Sequence, residues 1–172
     1  MRIAWVLLMA ATAAHGAKPR PQSLGITGGA LPLAMTSAAF ESASGDALGT
    51  VRLLEEAGGT RLVASVRGFP AGRYPVHLHA AASCAGPEFA GAGADRAGKA
   101  VAVIIVEAAP ATSRASEGTV DAVLAGVRLR GGDAAIWDSD GSAVIVRGSD
   151  DRSALLCAAI APPRPRGAID GD

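Results

Sequence analysis

The sequence predicts an all-β domain, a barrel or sandwich of short strands. Two observations carry that expectation. Short runs of β-branched and alternating apolar residues recur at even spacing from residue 37 onward. Between them stand turn signatures, and no stretch sustains a long helical period. Alanine is abundant and favours helix by propensity, but the alternation and the glycine spacing override it.

Taken in chain order, residues 1–16 read as an export signal. Arg2 precedes an apolar run over residues 3–14, and small residues follow to Ala17. A run of about a dozen is too short to span a bilayer, and Ala14-His15-Gly16 fits a small-x-small cleavage site. Cleavage there removes His15, so it belongs to no site, and no membrane association is expected after processing. A retained N-terminal anchor is the alternative. Residues 17–36, rich in Gly, Ala, Pro and Ser, read as a flexible leader. The domain proper is expected over residues 37–161, with strands at 38–42, 48–55, 61–67, 74–80, 101–107, 119–124, 134–137, 143–146 and 155–160. The turns are Ser44-Gly45-Asp46, Gly58-Gly59, Pro70-Ala71-Gly72 and Asp140-Gly141, each built from residues that accept turn dihedrals. Two stretches interrupt the rhythm, a Gly/Ala loop at 85–100 and a second loop at 110–118, and loops are where sites tend to sit. The tail, 162–172, begins Pro-Pro-Arg-Pro-Arg and reads as disordered.

A mature chain of about 155 residues suits one domain with a sizeable core. Sixteen basic residues balance sixteen acidic ones, with no basic block, which argues against nucleic-acid binding. Two cysteines, Cys84 and Cys157, occur in a chain expected to be exported to a periplasm or beyond. An even count in an oxidising compartment favours one disulfide, with two unpaired buried thiols as the alternative.

The chemistry-bearing pair is His77 and His79, the only histidines beyond residue 15. On a strand, a His-x-His step places both imidazoles on one face and turns Val76 and Leu78 to the other, the core. Two imidazoles make half of a metal site. Elsewhere the pattern is bland. Asp138-Ser-Asp140-Gly141 lacks the third early carboxylate and the closing Glu of a calcium loop, so it reads as a hairpin turn. Gly91-Ala-Gly93 lacks the Gly-Lys-Ser/Thr of a phosphate cradle, and Trp137 reads as core. With both cysteines engaged in a disulfide, no arrangement for nucleophilic catalysis is left.

Four ordered stretches carry a family resemblance. They are Ala47-Leu-Gly-Thr-Val-Arg-Leu53 with Gly58-Gly59; Gly68-Phe-Pro-Ala-Gly72 leading to His77-Leu-His79 and Cys84; Leu129-Arg-Gly-Gly132 through Asp140-Gly-Ser-Ala-Val-Ile-Val146 to Asp150-Asp151; and Leu155-Leu-Cys157-Ala-Ala-Ile160. Together they resemble the bacterial periplasmic copper/zinc superoxide dismutases. The resemblance implies an eight-stranded Greek-key β-barrel with the metal outside it, under long loops. It also implies that Cys84 pairs with Cys157, and that His77 and His79 are the first two copper ligands.

The chain departs from that family where the chemistry lies. The bridging histidine is replaced, and Asp95 falls at its position. Arg147 stands where the last copper histidine is expected, and Ala154 where the superoxide-guiding arginine is. No histidine remains for zinc, and the metal and electrostatic loops are shortened. Asp151, or Asp150 in a slipped register, matches the aspartate that orients ligand histidines. Dismutation by copper calls for a redox ion with nitrogen ligands and a positive approach for the anion. Two imidazoles are too few, and a guanidinium in a ligand position repels the cation. The expectation is therefore a dismutase-like barrel with weak copper binding at His77 and His79, aided by Asp95, Asp151 or water. Little or no activity and no zinc are expected. One alternative is a metal-free binding or structural module; another is an authentic dismutase that borrows ligands from a partner subunit. A homodimer is left open. Asp95 and Arg147 are further expected to pair, tying the 85–100 loop to the barrel where a metal would.

Overall fold

A computed structural model describes residues 34–108, 116–132 and 135–163. The export signal, nearly all of the leader and most of the tail lie outside these residues, as does most of the 110–118 loop.

Eight strands form among the described residues: β1 (Met35–Glu41), β2 (Ala47–Glu56), β3 (Gly59–Arg67), β4 (Gly72–His79), β5 (Ala102–Val106), β6 (Glu117–Ala125), β7 (Ser142–Arg147) and β8 (Ala154–Ile160). They close an antiparallel barrel in the order β1-β2-β3-β6-β5-β4-β7-β8. β4, β5 and β6 run as a meander, and the chain crosses from β3 to β4 so that β3 lies beside β6, a Greek-key connection. The all-β barrel anticipated from alternation is thus the fold. The first strand begins at Met35, within the expected leader.

One expected strand is absent. Ala134 lies outside the described residues, and 135–137 is not extended ladder. Ile136 and Trp137 instead donate their backbone N–H groups to the carbonyls of Arg128 and Leu129. The apolar run is real, for Ala135 and Ile136 are buried, but it plugs the barrel from a loop. Asp138-Ser-Asp140-Gly141 is accordingly a turn inside that loop, closed by Gly141 N–H on the Asp138 carbonyl at 3.3 Å, not a hairpin between strands. Gly141 is required there. Its φ is +67°, and a Cβ would meet Ala82 and the Ile160 carbonyl.

Alternation decides which side chains enter the core. β3 turns Leu62, Ala64 and Val66 inward and Arg61, Val63, Ser65 and Arg67 outward. Phe40, Val51, Leu53, Ile104, Val144, Val146, Leu156 and Ile160 are among the residues that share this interior. β4 changes partner midway: β5 pairs with Gly72 through Val76, and β7 with Val76 through His79. Pro75 falls in the half without β7, an edge-like place that tolerates a missing N–H. The Tyr74 hydroxyl donates to the Pro70 carbonyl at 2.9 Å and fastens the preceding turn.

β7 is buried on both faces. Val144 and Val146 face the interior, whereas Ala143 and Ile145 join Phe89, Ala92 and Cys157 in a second apolar cluster. That outer cluster exists because the segment after β4 folds back over the barrel wall. Cys84 and Cys157 are joined, which anchors the segment to β8.

At one barrel end the alternation of β2 brings Glu55 inward, and it is buried. Arg128 donates from Nε to its carboxylate at 3.2 Å, and Arg130 Nε stands at 3.6 Å. Both arginines are about half exposed, so the pairing is screened on one side. Glu55→Ala should cost about 1–3 kcal/mol, read as a lower urea midpoint with an unchanged slope.

Candidate functional site

His77 and His79 stand on the outer face of β4, opposite Ile145 and Ala143 of β7. Val76 and Leu78 point into the core, so the period-two reading of His-x-His holds. Both imidazoles are nonetheless enclosed, at 4% and 6% exposure. The cover is the returning loop. Ala80 N–H donates to Ala94, Ala81 N–H to Ala92, and Arg96 N–H to Leu78. A single bridge, His79 with Asp95, sets the loop antiparallel beside the end of β4.

His77 lies between two carboxylates. Nδ1 is hydrogen-bonded to Asp95 Oδ2 at 2.6 Å and Nε2 to Asp151 Oδ1 at 2.8 Å. Each ring nitrogen therefore has a carboxylate partner, and the ring is held from both ends. Asp95 is further held by the backbone N–H groups of Ala97 and Gly98, both at 3.0 Å. Burial pushes the Asp95 carboxyl up, but the His77 bond and those two N–H groups outweigh it and keep it below its ordinary value. Asp151 arrives from the β7–β8 turn, where it adopts a left-handed φ of 56° and donates its own N–H to the Gly148 carbonyl at 2.9 Å. Aspartate tolerates that conformation better than most residues.

His79 has a different environment. Nδ1 donates to the Gly93 carbonyl at 2.8 Å, so in the neutral ring Nε2 is the acceptor nitrogen. That nitrogen is buried with no partner among the described residues.

The expected Asp95–Arg147 ion pair does not form. Asp95 is bonded to His77 instead, and Arg147 donates from Nη1 to the Arg152 carbonyl at 3.3 Å. The bulge between Val146 and Arg147 disturbs the register where such a contact was anticipated. The loop is tied down through the neighbouring residue. Arg96 Nη2 donates to Asp138 Oδ2 at 2.5 Å and to the Gly141 carbonyl at 3.2 Å. The Arg96 bond holds the Asp138 carboxyl below its usual range. Ala154 is partly buried against the outer apolar cluster.

The structure therefore joins His77 to Asp95 and Asp151, sets His79 beside them on the Gly93 carbonyl, and leaves Arg147 aside. Sequence reasoning missed Arg96, Asp138 and the Gly93 carbonyl. An acid–base pair of adjacent residues in an otherwise Gly/Ala-rich loop was the available signal for Arg96. A backbone carbonyl leaves none.

Tested as a metal site, these residues offer one free imidazole lone pair, that of His79. To reach His77, an ion would have to replace the Nδ1 proton and displace Asp95. Among the described residues no group of three or more His, Cys, Asp or Glu side chains is disposed to hold a metal ion. The donor set does not fit a four-nitrogen copper centre. No model of a known protein family matches the chain, and no curated protein matches it.

Proposed function

We propose that this chain is an exported, disulfide-stapled barrel of the copper/zinc superoxide dismutase type that does not turn over superoxide at an enzymatic rate. The four ordered sequence stretches support the family, together with an eight-stranded closed barrel whose His-x-His pair lies on the outer wall under a loop. The loss of activity rests on one observation: both ring nitrogens of His77 are engaged by carboxylates. Asp95, at the bridging-histidine position, takes the lone-pair direction that a metal would need. Export to a periplasm or beyond agrees with Arg2 and the apolar run behind it, and with the Cys84–Cys157 bond.

Copper in this reading is held weakly, through His79 Nε2 and water, because that nitrogen alone is free. Zinc has no histidine left to bind. A metal-free structural or binding module is the second reading, favoured by the saturation of His77.

Copper titration of the mature protein, followed by electron paramagnetic resonance, tests these readings alongside a superoxide-removal assay. The expected signal is weak, lost in His79→Ala and retained in His77→Ala, with superoxide removal no faster than that of the copper buffer. No protein-bound signal at all leaves the metal-free module. A stoichiometric signal with rapid copper-dependent removal of superoxide overturns the proposal, and activity rising with protein concentration would indicate ligands supplied by a second subunit.

A further inference from the structure

The loop over the two histidines carries the marks of a hinged cover. Its base is immobilised at Cys84 by the bond to Cys157. Beyond that point it runs between two glycines in the left-handed region, Gly86 at φ 83° and Gly98 at φ 61°, conformations that glycine adopts without steric cost. Inside, Glu88 and Phe89 also hold positive φ, 48° and 58°. Such angles disfavour residues with side chains, so the segment is held in place by its contacts. Phe89 and Ala92 lie against Ala143, Ile145 and Cys157. The far end is held by Asp95 on His77 and by Arg96 on Asp138 and Gly141. Beneath the cover lies His79 Nε2, buried and unpartnered.

We infer that residues 86–98 form a lid, latched by Arg96 on Asp138, whose opening controls access to the His79 imidazole. Arg96 suits the role of latch. Its guanidinium hydrogen-bonds to Asp138 and Gly141 in the β6–β7 connection and to neither histidine. Asp138 receives that contact on one oxygen and the Asp140 N–H on the other at 3.2 Å, so the catch is held in position. With the latch broken, the lid keeps its apolar contacts, the Asp95–His77 and Gly93–His79 bonds and its backbone bonds to residues 78–81, but loses its one side-chain tie to the β6–β7 connection. The inference concerns the loop itself and holds whether or not the site takes up copper.

Diethyl pyrocarbonate reads the opening directly, since it carbethoxylates a neutral imidazole nitrogen only when that nitrogen is reached. Mass mapping of the full chain separates the peptide that carries His77 and His79 from that of His15, and fragmentation of that peptide assigns the label to His79 or His77. In the wild type, His79 should react slowly, at a rate set by the open population. Arg96→Gln removes two hydrogen bonds from a charged donor, and the rate should rise roughly tenfold. Asp138→Asn weakens the same latch from the other side and should act in the same direction, which preserves the test if Arg96→Gln does not fold. Arg61→Gln, at the exposed Arg61–Asp121 pair between β3 and β6, is the control and should leave the rate unchanged. Amide exchange should quicken over 86–98 and stay constant in β3 and β6. An unchanged His79 rate in both latch variants overturns the inference. So does a rise matched by faster exchange throughout the barrel, because that reports global unfolding. A positive dismutase assay would sink the functional proposal and leave this one standing.

Discussion

Replacing both Cys84 and Cys157 with alanine is expected to lower the unfolding free energy by about 4 kcal/mol. The bond closes a loop of 73 residues, and on the chain-entropy model the denatured chain regains that freedom when the link is absent. Cys157 is 1% exposed and packed with Ala143, Ile145 and Phe89, so alanine is the gentler replacement; serine would place a hydroxyl among apolar groups. The cost should appear in urea as a lower midpoint with a larger slope, since the unlinked denatured state exposes more surface. The same loss should appear in the wild type after reduction. A change under about 1 kcal/mol would mean that the denatured chain keeps the two ends together without the bond.

His77→Ala is the second large effect, expected at about 3 kcal/mol. The substitution removes an enclosed ring with two hydrogen bonds to carboxylates and leaves Asp95, whose side chain is 20% exposed, facing a void without its partner. Asp151 is 52% exposed and recovers water, which keeps the figure below that of a fully buried pair. His79→Ala should cost less, because it deletes an unpartnered nitrogen along with the bond to Gly93. Acid separates the two contributions. The Asp95 carboxyl is held below its ordinary value of 3.8, so the unfolded state takes up protons first as pH falls. Its stabilisation is complete above that value and is lost as pH drops through the lower folded one. The Asp95 carboxyl's own share of the gap between wild type and Asp95→Asn should therefore fall away only below pH 3.8, which chemical denaturation at stepped acid pH will show.

Most of the barrel was legible in the chain, because strand and turn signals are local. Leu62, Ala64 and Val66 announce one face of β3 within seven residues, and Gly58-Gly59 announces its entry. The 134–137 run shows where local reading fails. A short apolar segment buries equally well in a strand or in a plug, and only the backbone bonds to Arg128 and Leu129 distinguish them. The site was half legible. The shared face of His77 and His79 follows from the period of a strand, whereas the partner of Asp95 depends on how a Gly/Ala segment folds back. Charge complementarity pointed to Arg147; geometry delivers His77, and Arg96 finds Asp138 across the rim.

The barrel closes at a single registered pair between its first and last strands, Glu41 with Cys157, whereas β3 and β6 match over nine positions. A cylinder sewn so unevenly has a preferred line of tearing, and the sulfur of Cys157 is placed on it. The covalent crosslink runs from there to Cys84, on the segment after β4, and does not span the seam to β1. Fraying of the N-terminal strand can begin there without disturbing the histidines on the neighbouring panel.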